Sequence, residues 1–231
     1  MKDLIKRMLI EESKKKDIIV PYKLEDRPER YKRIIYKKIQ EYIKNGSVGD
    51  LILSNSPIES LPSNLKTVGG NLTIFQSKIK NLPPTLKEVK GILFAGGPDA
   101  LLTELPKNLK IDSSVWLNYT KNFKIPDNYT IFKNLTLKES IISQLPKNLT
   151  ILGDLRLQGS DITIKKISEN LKIAQDLYIN NTPLSKFLRK NNDEEISKIF
   201  KNKNISIGGF IYLDNRTIRG HMLDYYGDEM I

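Results

Sequence analysis

From residue 51 onward the apolar positions follow a long-period pattern. A phrase of the form L-x-L-x-x-[S/T]-x-I-x-x-L-P-x-N-L returns, imperfectly, about every 20 to 23 residues as far as Leu184. Each copy is headed by two apolar residues separated by one position: Leu51/Leu53, Leu72/Ile74, Ile92/Phe94, Val115/Leu117, Leu135/Leu137, Leu155/Leu157 and Leu177/Ile179, with a degenerate copy at Ile211/Leu213. Alternation over so short a run predicts a short strand whose two apolar side chains enter the core while their neighbours point out. The return half carries its own punctuation, Leu61-Pro62, Leu82-Pro83, Leu105-Pro106, Ile125-Pro126 and Leu145-Pro146. Proline fixes φ and donates no hydrogen bond, so these segments are extended or turn-like, and no connection is long enough for a regular crossover helix. Asn64, Asn108, Asn128 and Asn148 follow the prolines, Asn170 holds the equivalent place without one, and all suit side-chain-stabilised turns. One unit of this length cannot bury its apolar face alone, and stacking neighbours gives a parallel-β solenoid.

Before residue 47 the period is absent. Tyr31, Ile35, Ile39 and Tyr42, with Ile43 adjoining, share one face at helical spacing, and Asn45-Gly46 ends that helix. An earlier helix is expected over residues 2–15, separated from it by Val20-Pro21. Near the other end, Leu184–Leu188 leads into a helix beginning at Asp193, taken as its cap, and Phe210–Leu213 forms a final rung after Gly208-Gly209. The predicted class is therefore α+β: a helical cap over 1–46, a curved parallel-β solenoid over 47–215 with a short helix near its carboxyl end, and a tail over 216–231. Terminal coils of a solenoid need a polar cover, which these flanks supply.

The repeating phrase resembles the leucine-rich-repeat family, in particular the short type with Leu-Pro-x-Asn-Leu return segments found in bacterial proteins and their phages. The resemblance spans roughly residues 48 to 215. It implies a curved solenoid whose concave sheet binds a partner, with a phage or bacterial effector or inhibitor, or a structural part of a virus particle, as settings. Where many family members place Asn after the strand, this chain has Ser56, Ser77, Thr120, Ser140, Ser160 and Thr182, a hydroxyl ladder able to hold the turning backbone; Gly97 interrupts it in the third copy. Some effectors with such repeats also carry a cysteine-dependent ubiquitin ligase, and this chain has no cysteine.

The strand pattern assigns the outward row directly. It reads Asp50, Ile52, Ser54; Asn71, Thr73, Phe75; Gly91, Leu93, Ala95; Ser114, Trp116, Asn118; Asn134, Thr136, Lys138; Asp154, Arg156, Gln158; Asp176, Tyr178, Asn180; and Phe210, Tyr212, Asp214. Aromatic and Arg side chains supply most binding energy at protein interfaces, so a protein partner is expected to engage Trp116, Arg156, Tyr178 and Tyr212, with Phe75 as an apolar anchor and Lys138 as a polar contact.

A formal net charge of +11 brings a second reading. Residues 1–46 hold 14 Lys/Arg against 8 Asp/Glu, and the remainder 24 against 19. In the repeats the excess gathers on the return segments, at Lys66, Lys87, Lys107, Lys110, Lys147 and Lys172. On the amino-terminal helix it forms a polar face of Arg30, Arg33, Lys37, Lys38 and Lys44. Such a face can contact nucleic-acid phosphates, although no nucleic-acid motif accompanies it, and a solvated helix is the simpler reading.

Catalysis finds little to work with. Cysteine chemistry is excluded, the single His221 has no partner set in the sequence, and Asp224, Asp228 and Glu229 match no metal-site spacing. Gly69-Gly70, Gly96-Gly97 and Gly208-Gly209 lack the Lys-Ser/Thr of a phosphate loop and read as solenoid turns. No enzyme activity, cofactor or metal is expected. Neither a signal-peptide run nor a membrane-length apolar stretch is present, so a cytoplasmic or virion-borne protein is expected.

Overall fold

The computed structural model describes residues 18–19 and 28–220. The helix expected over 2–15, His221 and the acidic tail residues lie outside them. Strand β1 (Ile18–Ile19) precedes helix α1 (Pro28–Lys44). Strands then alternate: β2 (Leu51–Ile52), β3 (Thr67–Val68), β4 (Leu72–Thr73), β5 (Glu88–Val89), β6 (Leu93–Phe94), β7 (Lys110–Ile111), β8 (Val115–Trp116), β9 (Thr130–Ile131). They continue as β10 (Leu135–Thr136), β11 (Thr150–Ile151), β12 (Leu155–Arg156), β13 (Lys172–Ile173) and β14 (Leu177–Tyr178). Helices α2 (Pro183–Leu188) and α3 (Asp193–Asn202) follow, then β15 (Ser206–Ile207), β16 (Phe210–Tyr212) and β17 (Thr217–Arg219).

The strands sort by repetition into two faces. One is a ten-stranded sheet in the order β1-β2-β4-β6-β8-β10-β12-β14-β16-β17. Its pairs are parallel up to β16, and β17 closes the end antiparallel. The second face is split into β3-β5-β7 and β9-β11-β13-β15. Between the faces runs one continuous core, built from the predicted head leucines together with the return-segment residues Ile58, Leu65, Ile79, Leu86, Ile142 and Ile162. The α+β solenoid with its helical cap is as the sequence pattern predicts. The second sheet is new: each of its strands is two residues long and buries one side chain, too little for a period to register.

Tyr129 explains the split in that second sheet. It stands where Leu109, Leu149 and Leu171 stand, directly before a strand. In later coils the carbonyl at this position accepts the next strand's N–H, as in Lys172 N to Leu149 O at 2.9 Å and Ser206 N to Leu171 O at 2.9 Å. At Leu109 the carbonyl instead accepts the buried Tyr129 hydroxyl, which takes the place of the backbone bond and parts β7 from β9. The turns change there too. In Pro106–Leu109 the Leu109 N–H donates to Pro106 O at 3.1 Å, whereas Asn128, Asn148, Asn170 and Asn204 are left-handed. The amides of the last three donate to the preceding Asn in a ladder, each step 2.6 Å. The tetrapeptide Pro-Lys-Asn-Leu occurs at 106–109 and 146–149 in both forms, so the neighbouring coil, not the local sequence, selects the turn.

Helices stand toward both ends of the described solenoid. Helix α1 buries Ile35, Ile39 and Tyr42, and the Tyr42 hydroxyl donates at 2.9 Å to the Ser47 and Gly49 carbonyls, joining helix to first coil. Helix α3 starts one residue differently from expectation. Its cap is Asn192, whose side chain accepts Glu195 N–H while the Glu195 carboxylate accepts Asn192 N–H, so Asp193 is the first helical residue. Thr182 caps α2 in the same way, accepting Ser185 N–H at 3.0 Å.

Candidate recognition surface

Three outward rows cross the ten-stranded sheet, and the first is consumed by the backbone. Asp50 Oδ1 accepts Asn71 N–H at 2.6 Å, and Asn71 Oδ1 accepts Ile92 N–H at 2.7 Å. The relay resumes through Ser114 to Asn134 N–H, Asn134 to Asp154 N–H, Asp154 to Asp176 N–H and Asp176 to Phe210 N–H. Each acceptor satisfies a donor of the next coil at the corner where it enters the strand, a position a backbone bond does not cover. At four of these six corners a glycine stands opposite and leaves room for the acceptor: a Cβ on Gly70 would stand 2.2 Å from Asp50 Oδ1, and on Gly153 2.2 Å from Asn134 Oδ1. Asp50, Asp154 and Asp176 are thus frame residues before they are surface charges.

The central row is Ile52, Thr73, Phe94, Trp116, Thr136, Arg156, Tyr178 and Tyr212, fixed by strand pairing. This corrects the third coil. Leu93 and Ala95 are fully buried, and Ile92 and Phe94 face out, the reverse of the alternation assigned from sequence. The register is set by the corner glycine, since Gly91 N–H donates to Gly70 O at 2.9 Å, placing Leu93 beside Leu72. Glycine stands two residues before the strand's first buried residue at Gly70, Gly91, Gly153 and Gly209, a signal present in the sequence.

Trp116 is 40% exposed and meets the ring of Phe94 edge-on, centroids 4.6 Å apart. Two coils further, the Arg156 guanidinium lies 4.8 Å over the Tyr178 ring, and Tyr178 stacks on Tyr212 at 4.5 Å with planes 3° apart. Phe210 tilts against Tyr212 at 6.3 Å. Arg156 Nη2 also donates to Asp154 Oδ2 at 2.8 Å, and Nε to the same oxygen at 3.3 Å. Burial beneath this stack, with a hydrogen bond to Asp176, pushes the Tyr178 phenol up to about 12. The sheet therefore brings Arg156, Tyr178 and Tyr212 into one column and Trp116 into a second cluster.

Thr136 separates the two, and it is buried, donating to Asn118 Oδ1 at 2.6 Å. Lys138 lies in the third row, half-buried, with no ion pair among the described residues. Phe75 lies in that row also, two rungs from Trp116 and half-buried, without a ring contact among the described residues. Phe94 is the interface candidate that sequence reasoning missed.

The alternative basic site sits on α1, where Arg30, Arg33, Lys37 and Lys44 are exposed and Lys38 half-buried. The return-segment lysines are exposed as expected. The stacked Leu105-Pro106, Ile125-Pro126 and Leu145-Pro146 steps line an open groove of about 540 Å³. The second sheet presents Phe132 and Leu152, 40% and 46% exposed, with the Lys110 ammonium 5.6 Å over the Phe132 ring. Among the described residues no group of three or more His, Cys, Asp or Glu could hold a metal ion, and no helix is long and apolar enough to cross a membrane.

No family model, curated protein or solved structure matches this chain.

Proposed function

We propose that the chain is a non-enzymatic recognition module of the short leucine-rich-repeat type, binding another protein through the outward face of its ten-stranded sheet. The observation that carries this reading is the outward aromatic row. Phe94, Trp116, Tyr178 and Tyr212 share one register with Arg156, on a sheet whose corner N–H groups are satisfied by side chains of the preceding coil. Side chains pre-positioned on such a frame lose little freedom on binding, and rigid aromatic anchors flanked by Arg are what protein interfaces use. A bacterial or phage effector or inhibitor acting in the cytoplasm fits this design.

The experiment is affinity capture from native-source lysate, using the wild type and the Trp116→Ala/Tyr178→Ala double variant, each with and without nuclease. A protein captured by wild type, lost with the variant and indifferent to nuclease is the expected result. Recovery that nuclease abolishes and the variant does not affect would move the function to Arg30, Arg33, Lys37, Lys38 and Lys44 on α1.

A further inference from the structure

The face proposed above as protein-binding has two chemically different steps, and their order specifies the segment it would take. The apolar step is the Phe94–Trp116 edge on β6 and β8. The cationic step follows at once, Lys138 beyond the end of β10 and Arg156 on β12. Adjacent rungs are about 4.8 Å apart, so these cations stand roughly 5 and 10 Å along the solenoid from Trp116.

Their charge is only partly answered: Asp154 pairs with Arg156 at 2.8 Å, and no ion pair among the described residues engages Lys138. Asp50, Asp154 and Asp176 each give Oδ1 to an N–H of the next coil, and the second oxygens of Asp154 and Asp176 accept from Arg156 and the Tyr178 hydroxyl. Asp214 is held by Asn181 N–H, Ser185 and Arg189. Arg156 gives Nε and Nη2 to Asp154, while its Nη1 and the Lys138 ammonium have no partner among the described residues. Stacking on Tyr178 fixes the guanidinium plane, leaving a preset donor edge.

Resting on the protein-binding reading, we infer that the face takes an extended acidic-apolar segment of its partner, running across the rungs. An apolar side chain sits against Phe94 and Trp116, and an Asp or Glu two or three residues on meets Lys138 and Arg156. Extended chain advances about 3.3 Å per residue, so three residues span the roughly 10 Å between the steps.

The test pans the full chain against a phage-displayed library of random dodecapeptides and measures enriched peptides by interferometry. The expected consensus is apolar-x-x-Asp/Glu, or one residue shorter. Affinity should fall at least tenfold for Lys138→Gln, which removes one half-exposed ammonium, and further for Lys138→Glu/Arg156→Lys. It should also weaken between 0.05 and 0.5 M NaCl and be untouched by Lys87→Glu on the return face. Peptides that need Trp116 yet lack the acid, or bind Lys138→Gln as tightly as wild type, overturn the inference and leave the face intact. Peptides indifferent to Trp116→Ala, or no enrichment over an albumin control, overturn the inference; indifference to Trp116→Ala also counts against the face itself.

Discussion

Thr136 faces outward from the middle of the sheet, and the alternation pattern alone marks it as a position where truncation is harmless. Its surroundings say otherwise. It is 6% exposed, lies in register with Trp116 and Arg156 on the adjacent strands, and donates to Asn118 Oδ1 at 2.6 Å. Thr136→Ala removes that hydrogen bond, about 1 kcal/mol, but orphans no acceptor because Asn118 Oδ1 also takes Lys138 N–H at 3.0 Å. Loss of the buried methyl adds about 0.8 kcal/mol, for a total near 2 kcal/mol. In a chain of this size that lowers the melting temperature by about 4 to 8 °C. Thr136→Val keeps the shape and should cost about 1 kcal/mol, and Thr136→Ser about 0.8. The neighbouring Leu135→Ala, wholly inside, should cost about 2 to 5 kcal/mol. Urea unfolding followed by far-UV circular dichroism and by the fluorescence of Trp116, the one tryptophan, measures all four and checks that the solenoid melts as a unit. A Thr136→Ala midpoint equal to wild type would refute the burial and the bond together.

Three further outcomes follow from particular residues. Glu139 is exposed and left-handed at φ 54°, a conformation costing a side-chain-bearing residue about 1 to 2 kcal/mol, so Glu139→Asn should raise stability by about 1 kcal/mol while Gly159→Ala, at φ 71°, lowers it; thermal melts of both show the opposite signs. Tyr129→Phe leaves the Leu109 carbonyl without its donor and should cost about 1 to 3 kcal/mol, with faster amide exchange confined to the coils on either side of the split. Burial raises the Tyr129 phenol, so its contribution is whole below the ordinary value near 10 and is lost as pH rises past it; Tyr129→Phe should flatten that alkaline decline. The Asn181 N–H, outweighing a smaller burial penalty, lowers the Asp214 carboxyl, with Ser185 and Arg189 assisting. That stabilisation is present above the ordinary carboxylate range and lost as pH falls through the lowered value, so Asp214→Asn should flatten the acid limb of a urea-midpoint profile between pH 2 and 6.

The head pairs were legible because two apolar residues one apart, returning at a fixed interval, admit few foldings, and the core contains all but one pair as read. The hydroxyl positions Ser56, Ser77, Thr120, Ser140, Ser160 and Thr182 were legible too, and all six are buried. The third coil failed because Ile92, Leu93 and Phe94 are consecutive apolar residues, among which alternation cannot choose. Only the corner glycines, which answer to the preceding coil's side chains, break that tie. The second sheet, the split at Tyr129 and the two forms of Pro-Lys-Asn-Leu depend on neighbouring coils, and a single-repeat reading does not contain them. Among the site residues, the column of Arg156, Tyr178 and Tyr212 was readable as shared register. Its charge balance was not, because the relay that turns Asp50, Asp154 and Asp176 to backbone donors exists only once the coils are stacked.

If the outward aromatic row takes a protein partner as proposed, that partner's dissociation constant differs between folded wild type and Trp116→Ala/Tyr178→Ala. Truncating two anchors should weaken binding by at least about 30-fold, the equivalent of about 2 kcal/mol. An unchanged constant, with the variant's circular dichroism and melting intact, would place recognition elsewhere than on the aromatic row.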